Sequence, residues 1–195
     1  MPADPDPSAV EIADLVRRCL GGEAEAAGAL VARFERQVFA LCYRMLGQRE
    51  DAEDVAQESF VRALRSLRSW DAERDFAPWL LAIAGNRCRT WLSARARRPR
   101  LASEVERIED STPPPEAARN LAEEVERALG GIRAEYRQAF VLFHEQELSY
   151  GEIAEAMGCP LGTVKTWVHR ARREIVEQLR SREVLPENSR ALRRV

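Results

Sequence analysis

The chain has 195 residues, a net charge of −2 and 45% hydrophobic residues, enough to form the core of one ordinary domain or of two small ones. Its four cysteines are far apart, without C-x-x-C or a nearby histidine pair, which argues against a zinc site or a disulfide framework. No apolar run reaches membrane-spanning length, and the acidic, proline-rich residues 1–7 do not resemble a secretory signal. We therefore expect a cytoplasmic protein with a disordered leader, no membrane insertion of its own, no metal and no cofactor.

The charges are unevenly distributed along the chain. Residues 86–100, NRCRTWLSARARRPR, contain six arginines and no acid. Residues 161–173, LGTVKTWVHRARR, contain one lysine, three arginines and no acid. Between them, residues 101–132 hold eight acids against three arginines. Two basic patches are thus separated by an acidic segment, so the small negative net charge argues only weakly against nucleic-acid binding.

The predicted elements are all helices, because strand-like alternation is absent and helix formers dominate. Helices are expected over residues 8–20, 24–46 and 50–68, with the first two ending at Gly21 and Gly47. The third helix has acids in its first turn and arginines in its later turns, a polarity that suits the helix dipole.

A fourth helix is expected over residues 79–97, after the segment SWDAERDFAP, with Pro78 suited to its first turn. One stripe is apolar and contains Leu81, Ala84, Cys88, Trp91 and Leu92. The opposite stripe contains Asn86, Arg89, Thr90, Ser93 and Arg97. Trp79 projects toward this polar stripe. Arginines for phosphates and an aromatic ring for stacking suit a nucleic-acid strand, but a solvated face with Trp79 packed beneath the loop fits equally well.

Residues 99–118 are predicted to be a linker, because three successive prolines cannot continue a helix and the acids favour extension. Two further helices are expected near residues 119–129, stopped by Gly130–Gly131, and over residues 134–146.

The stretch that follows is typical of a helix-turn-helix. Ser149 and Glu152 form the S-x-x-E capping box of a short helix that ends at Gly158, and Pro160 suits the start of the next helix. The second helix should bury Val164, Val168, Ala171, Ile175 and Leu179. It should expose Thr163, Thr166, Arg170 and Arg173, with Trp167 and His169 on the flanks. The first turns of such a helix enter the major groove, where threonines and arginines contact base edges or phosphates.

Two stretches, residues 51–92 and 148–172, resemble bacterial sigma factors of the sigma-70 family, of the extracytoplasmic-function type. The resemblance implies an all-α fold with two small helical domains joined by an acidic, Pro-containing linker. Sigma region two would be a helical bundle over residues 8–98, and sigma region four would be a helix-turn-helix domain over residues 119–182. A short tail, residues 183–195, follows with no readable role.

The resemblance also implies partners and site residues. Such a protein binds core RNA polymerase and promoter DNA and directs promoter-specific transcription initiation, typically in a stress response and under an anti-sigma factor. The positions matching the polymerase-binding pattern are Asp51, Asp54, Gln57, Glu58 and Phe60. The candidates for the minus-ten element are Asp75, Phe76, Trp79, Asn86, Arg89 and Arg97, with the loop 71–75 and Phe76 forming a base pocket. The candidates for the minus-thirty-five element are Thr163, Lys165, Thr166, Trp167, His169, Arg170 and Arg173.

The sequence departs from the family pattern at a few positions. Thr90 stands where an acid is usual, Gly85 where a basic or larger residue is usual, and Trp167 where relatives often carry arginine. Trp167 is expected either to contact DNA, by stacking or at a thymine methyl, or to fold back onto the domain.

An alternative is a stand-alone helix-turn-helix regulator, in which residues 1–100 form a sensor or dimerisation domain. It predicts palindromic operator binding without polymerase, but does not require the basic, Trp-bearing fourth helix. An enzyme has no support in the sequence, which lacks a Gly-rich phosphate loop, metal-ligand spacing and a nucleophile–base arrangement, so no catalytic residue is expected.

Overall fold

The computed structural model describes residues 7–97, 116–182 and 184, and within these ranges it contains helices and no strand. The predicted all-α fold is confirmed. The described residues form eight α-helices: α1 (Pro7–Leu20), α2 (Ala24–Leu46), α3 (Arg49–Ser66), α4 (Phe76–Arg97), α5 (Glu116–Gly131), α6 (Ala134–His144), α7 (Tyr150–Met157) and α8 (Leu161–Ser181). A 3₁₀ turn, Leu67–Ser69, follows α3. Most of the predicted leader, linker and tail lies outside the described residues.

Two helices, α4 and α5, depart most from their expected bounds. α4 begins at Phe76 rather than at residue 79, with Pro78 inside its first turn. α5 begins at Glu116, within the expected linker, and continues through the two glycines that were expected to stop it. A Cβ on Gly131 would lie 2.8 Å from the Gln178 side-chain oxygen, so this glycine allows α8 to approach closely. α1 ends directly before Gly21, as expected, and Gly47 and Gly158 end α2 and α7 with left-handed φ angles of 74° and 62°.

The first four helices form a bundle in which α2 packs against both α3 and α4. Its most buried side chains come from the apolar stripes of these three helices, Leu41, Met45, Val55, Leu80 and Leu81. The polar stripe of α4 and the acidic start of α3 therefore remain on the outside of the bundle.

The second half is built on α8, which packs against α5, α6 and α7. The stripe predicted to be buried, Val164 to Leu179, is confirmed at all five positions. The capping box of α7 is also present. The Ser149 hydroxyl accepts from the backbone N–H of Glu152 at 3.3 Å, and the Glu152 carboxylate accepts from the backbone N–H of Ser149 at 2.7 Å.

The two halves pack against each other, with α6 and α7 lying on α2 and α4. One apolar cluster is continuous across the contact, from Leu81 of α4 to Leu142 of α6. Arg137, which is 7% exposed, crosses it by donating to the Met45 carbonyl at the end of α2. The same guanidinium donates to the carbonyl of Gly130 at 2.6 Å, so it caps helix ends on both sides of the contact.

Candidate polymerase-binding and nucleic-acid interfaces

The acid-rich helix α3 holds all five residues expected to bind polymerase. Asp54, Gln57 and Glu58 are exposed, and Asp51 and Phe60 are half-buried. Two of the carboxylates form ion pairs with arginines of α4. Oδ2 of Asp51 lies 3.1 Å from Nη1 of Arg95, and Glu58 pairs with Arg87. Two ion pairs, at Arg87 and at Arg95, thus join the acidic surface of α3 to α4.

A groove of about 460 Å³ runs between α2 and α3. Gln57 and Phe60 line it, whereas Asp51, Asp54 and Glu58 lie outside its lining. The opposite wall comes from α2 and includes Val31 and Phe39, which the sequence interpretation did not select. Val31 and Phe39 lie outside the buried stripe of α2. An apolar side chain outside the buried stripe of a helix is the sequence signal that could have identified them as part of a binding groove.

The polar stripe of α4 lies on the surface as expected. Asn86, Thr90, Ser93 and Arg97 are exposed, and Arg89 is half-buried. The Asn86 side-chain oxygen accepts a hydrogen bond from Arg89, which leaves the amide donors of Asn86 directed outward. Arg97 donates to the Ser93 carbonyl at 3.1 Å. These contacts orient the basic groups along one side of the helix, a geometry suited to a phosphate backbone.

The start of α4 contains a cluster of aromatic rings. Phe76 lies 5.1 Å from Phe34, 5.3 Å from Trp70 and 5.2 Å from Trp79, measured between ring centroids. Phe76 was expected to line a base pocket, and its side chain is only 4% exposed, so little of its ring is available to a base. Its ring instead anchors the loop from within the core. Trp79 is half-buried against it, so part of the Trp79 ring remains accessible for stacking.

The loop before α4, residues 71–75, is exposed along its whole length, including Asp75. Asp71 orders it by accepting from the backbone N–H of Glu73 at 3.0 Å. Arg74 pairs with Glu155 of α7, which ties this loop to the helix-turn-helix.

The residues expected to face DNA on α8 are mostly on the surface. Lys165, Thr166, His169, Arg170 and Arg173 are exposed, and Thr163 and Trp167 are half-buried. The Thr166 hydroxyl donates to the Gly162 carbonyl at 2.8 Å, which leaves its oxygen free to accept from a base amino group.

Trp167 packs against the domain, which was one of the two alternatives for this residue. Its ring centroid lies 6.5 Å from that of Tyr136, and it contacts both apolar clusters of the molecule. Arg170, one turn further along, donates to the Tyr136 hydroxyl at 2.9 Å. This hydrogen bond is the main cause that raises the pKa of Arg170 above its ordinary value. The sequence interpretation missed Tyr136, since it lies on α6, more than thirty residues away along the chain.

The described histidines and cysteines form no metal site: no group of three or more His, Cys, Asp or Glu side chains is close enough within the described ranges. All four cysteines are free thiols, with Cys42 and Cys88 buried side by side between α2 and α4. Contact with Cys42 and burial raise the pKa of the Cys88 thiol, so it remains protonated. In the part of the chain that the structure describes, no helix has the length and apolarity required to cross a membrane.

Comparison with known proteins gives two family matches along the chain. Sigma-70 region 2 matches residues 30–98, and Sigma-70, region 4 matches residues 122–175. These matches fall within the predicted ranges 8–98 and 119–182.

Similar full-length proteins and solved structures agree with these matches. The ECF RNA polymerase sigma factor SigW of Bacillus subtilis is 34% identical, over 85% of this chain and 95% of the relative. The ECF RNA polymerase sigma-E factor of Haemophilus influenzae is 36% identical, over 84% of this chain and 92% of the relative. The structure of CnrH in complex with the cytosolic domain of CnrY matches 86% of this chain and 96% of CnrH, with a TM-score of 0.63 and 28% identity.

Proposed function

Because this chain belongs to the sigma-70 family, as a sigma factor of the extracytoplasmic-function type, we propose which of its surfaces bind polymerase and which read the promoter. A sigma factor is a non-enzymatic subunit that directs core RNA polymerase to promoters. In our proposal α3 faces core RNA polymerase, α4 and its preceding loop read the minus-ten element, and α8 reads the minus-thirty-five element. The protein would act in the cytoplasm, where promoter DNA and polymerase are found.

The observation that carries this assignment is the separation of charge between α3 and the two reading helices. The first turn of α3 is acidic, and Asp54, Gln57 and Glu58 are exposed. An acidic face repels DNA phosphates but suits a protein partner. The adjoining groove adds apolar contact area at Phe60, which is the type of side chain that contributes most at interfaces.

Opening the minus-ten element requires a surface that holds an unstacked base and offsets its cost of a few kcal/mol. The accessible part of the Trp79 ring and the donors of Asn86 and Arg89 lie on the outer side of α4 and supply such a surface. The buried Phe76 ring supports Trp79 from behind. The exposed loop with Asp75 completes the proposed pocket.

In this proposal the first turns of α8 read the minus-thirty-five element. Thr166 offers an acceptor and Arg170 offers several donors, the combination that distinguishes base edges in the major groove. Lys165 and Arg173 add phosphate contacts, which position the helix without reading sequence.

We also propose control by an anti-sigma factor. The neighbour CnrH, which matches nearly the whole of this chain, was solved in complex with the cytosolic domain of CnrY. A partner of this kind would restrict access to the polymerase-binding and DNA-binding surfaces of both halves.

Two variants, one in each reading helix, test the assignment. Arg170→Ala should weaken recognition of the upstream element and leave core polymerase binding unchanged. Trp79→Ala should reduce permanganate reactivity of the opened minus-ten thymines more than it reduces duplex binding. Loss of polymerase binding in Arg170→Ala, or an unchanged permanganate pattern in Trp79→Ala, would contradict the assignment of that helix.

The stand-alone regulator is the weaker candidate, because both sigma regions match in one chain. A gel shift with the full chain separates the two possibilities: dimeric binding to a palindromic duplex without polymerase would favour the regulator.

A further inference from the structure

Tyr136 of α6 lies directly behind the proposed reading helix. Its side chain is 5% exposed, yet its hydroxyl reaches the surface of α8 and accepts from Arg170 at 2.9 Å. Its ring lies 6.5 Å from the ring of Trp167. On the side of α6, the Arg133 guanidinium lies over the same ring, 5.4 Å from its centroid. One buried side chain thus contacts Arg170, which we assign to DNA reading, and Trp167, three residues before it on α8.

An exposed arginine has many rotamers, and ordering it on DNA costs conformational entropy. A hydrogen bond to a fixed acceptor restricts these rotamers before DNA binds, so less entropy remains to be lost. The Tyr136 bond uses Nη1 of Arg170 and leaves the other donors of the guanidinium fork available. The buried Tyr136 ring is itself held by packing against the cluster formed by α5 and α8, so its hydroxyl is a fixed point.

We propose that Tyr136 is a positioning residue for promoter recognition, which holds Arg170 by its hydroxyl and Trp167 by its ring and so sets base preference in the upstream element. This inference rests on the proposed role of α8. It assigns part of the sequence preference to a residue outside the helix-turn-helix that does not itself touch DNA. It also gives Trp167 a function: the indole fills the space beside Tyr136 and limits the directions in which Arg170 can extend.

A purely structural role for Tyr136 and a positioning role predict different results for the Tyr136→Phe variant. Tyr136→Phe keeps the ring, its packing against Trp167 and its place in the core, and removes only the acceptor of the Arg170 hydrogen bond. If Tyr136 only fills the core, this variant reads DNA like the unaltered protein. If Tyr136 positions Arg170, base preference weakens although folding and polymerase binding are retained.

The test uses the full chain assembled with core RNA polymerase and a pool of promoter duplexes with randomised upstream elements. The bound duplexes are sequenced for the unaltered protein, Tyr136→Phe, Arg170→Ala and the double variant. Arg170→Ala should flatten base preference at one or two positions. Tyr136→Phe should reduce enrichment at the same positions by about threefold to tenfold, the range for a hydrogen bond exchanged with water. The double variant should match Arg170→Ala, because the hydroxyl acts through that arginine.

The matched control is Tyr150→Phe, a tyrosine of α7 that stacks on Phe143 and whose ring is retained in the variant. It should leave base preference unchanged, and thermal unfolding should be similar for all the Tyr→Phe variants. Unchanged enrichment in Tyr136→Phe, or effects of the two single variants that add in the double variant, would overturn the positioning role alone. No effect of Arg170→Ala would overturn the proposed role of α8 together with this inference.

Discussion

Replacing Gln138 with methionine is expected to stabilise the protein. Gln138 lies on α6 with 0% exposure, and neither its side-chain nitrogen nor its oxygen has a hydrogen-bond partner among the residues that the structure describes. It fills the space beside Gly85 of α4, where a Cβ on the glycine would lie 2.1 Å from the Gln138 Nε2. A buried amide without a partner costs about 1–3 kcal/mol relative to one that is paired.

Methionine has nearly the same length and shape and adapts to the surrounding packing, so a swap of this kind loses little contact. A net gain of about 1–2 kcal/mol should remain after this small loss. For a chain of this size each kcal/mol raises Tm by about 2–4 °C, so the variant should melt about 2–8 °C higher. The gain should lie at the contact between the two halves, since Gln138 and Gly85 come from opposite sides of it.

Urea unfolding and calorimetry measure this change, and hydrogen exchange in α4 and α6 locates it. The matched control is Gln57→Met on exposed α3, which should alter stability by less than about 0.5 kcal/mol. A loss of stability of about 1 kcal/mol or more in Gln138→Met would contradict this prediction, because it would mean that the amide makes favourable polar contacts in solution.

The remaining predictions concern packing, capping and pH. Gly85→Ala should destabilise the protein by about 1–3 kcal/mol by overpacking against Gln138, measured by urea unfolding. Ser149→Ala should cost about 1 kcal/mol by removing the capping box of α7, measured in the same way. Burial, and then the charge of Arg172, lower the pKa of His144 below its ordinary value of 6.5. The unfolded chain therefore binds this proton more tightly, and stability should fall as pH drops below about 6.5. His144→Gln should flatten this pH dependence in unfolding midpoints measured from pH 5 to 7.5.

Each of these three predictions can be contradicted by a further measurement. Gln138→Ala in the Gly85→Ala background should restore part of the lost stability, and a further full loss would argue against a clash between the two. Ser93→Ala on the exposed face of α4 should be nearly neutral beside Ser149→Ala. If His144→Gln left the fall in stability below about pH 6.5 unchanged, His144 would not be its source.

Helix order and the helix-turn-helix could be predicted from the sequence because their signals are local. Gly47 and Gly158 end helices since their backbones adopt a left-handed conformation, and Ser149 caps α7 through a residue three positions away. Gly131 was wrongly expected to end α5, because its role depends on a tertiary contact. It makes room for the Gln178 side chain of α8 instead of ending its own helix, and no local pattern indicates this.

In the candidate sites, too, some features follow from a local sequence pattern and others depend on residues far apart in the chain. The exposed stripe of α8 follows from helical periodicity, and the structure places Thr166 and Arg170 on it as expected. Phe76 and Trp79 have similar sequence contexts, and only the packing of Phe34 and Trp70 shows which ring is buried. Tyr136 and the contact between the halves depend on pairs of residues far apart in the chain, which periodicity does not report.

We propose that this chain directs core RNA polymerase to promoters through two separate reading helices, α4 and α8. The most direct measurement is run-off transcription by core RNA polymerase and the full chain, on genomic DNA fragments, after co-elution has established the complex. We predict co-elution and discrete transcripts that require the chain and whose promoters share both an upstream and a minus-ten element. Failure to co-elute with core polymerase, or transcripts that do not depend on the chain, would contradict the account.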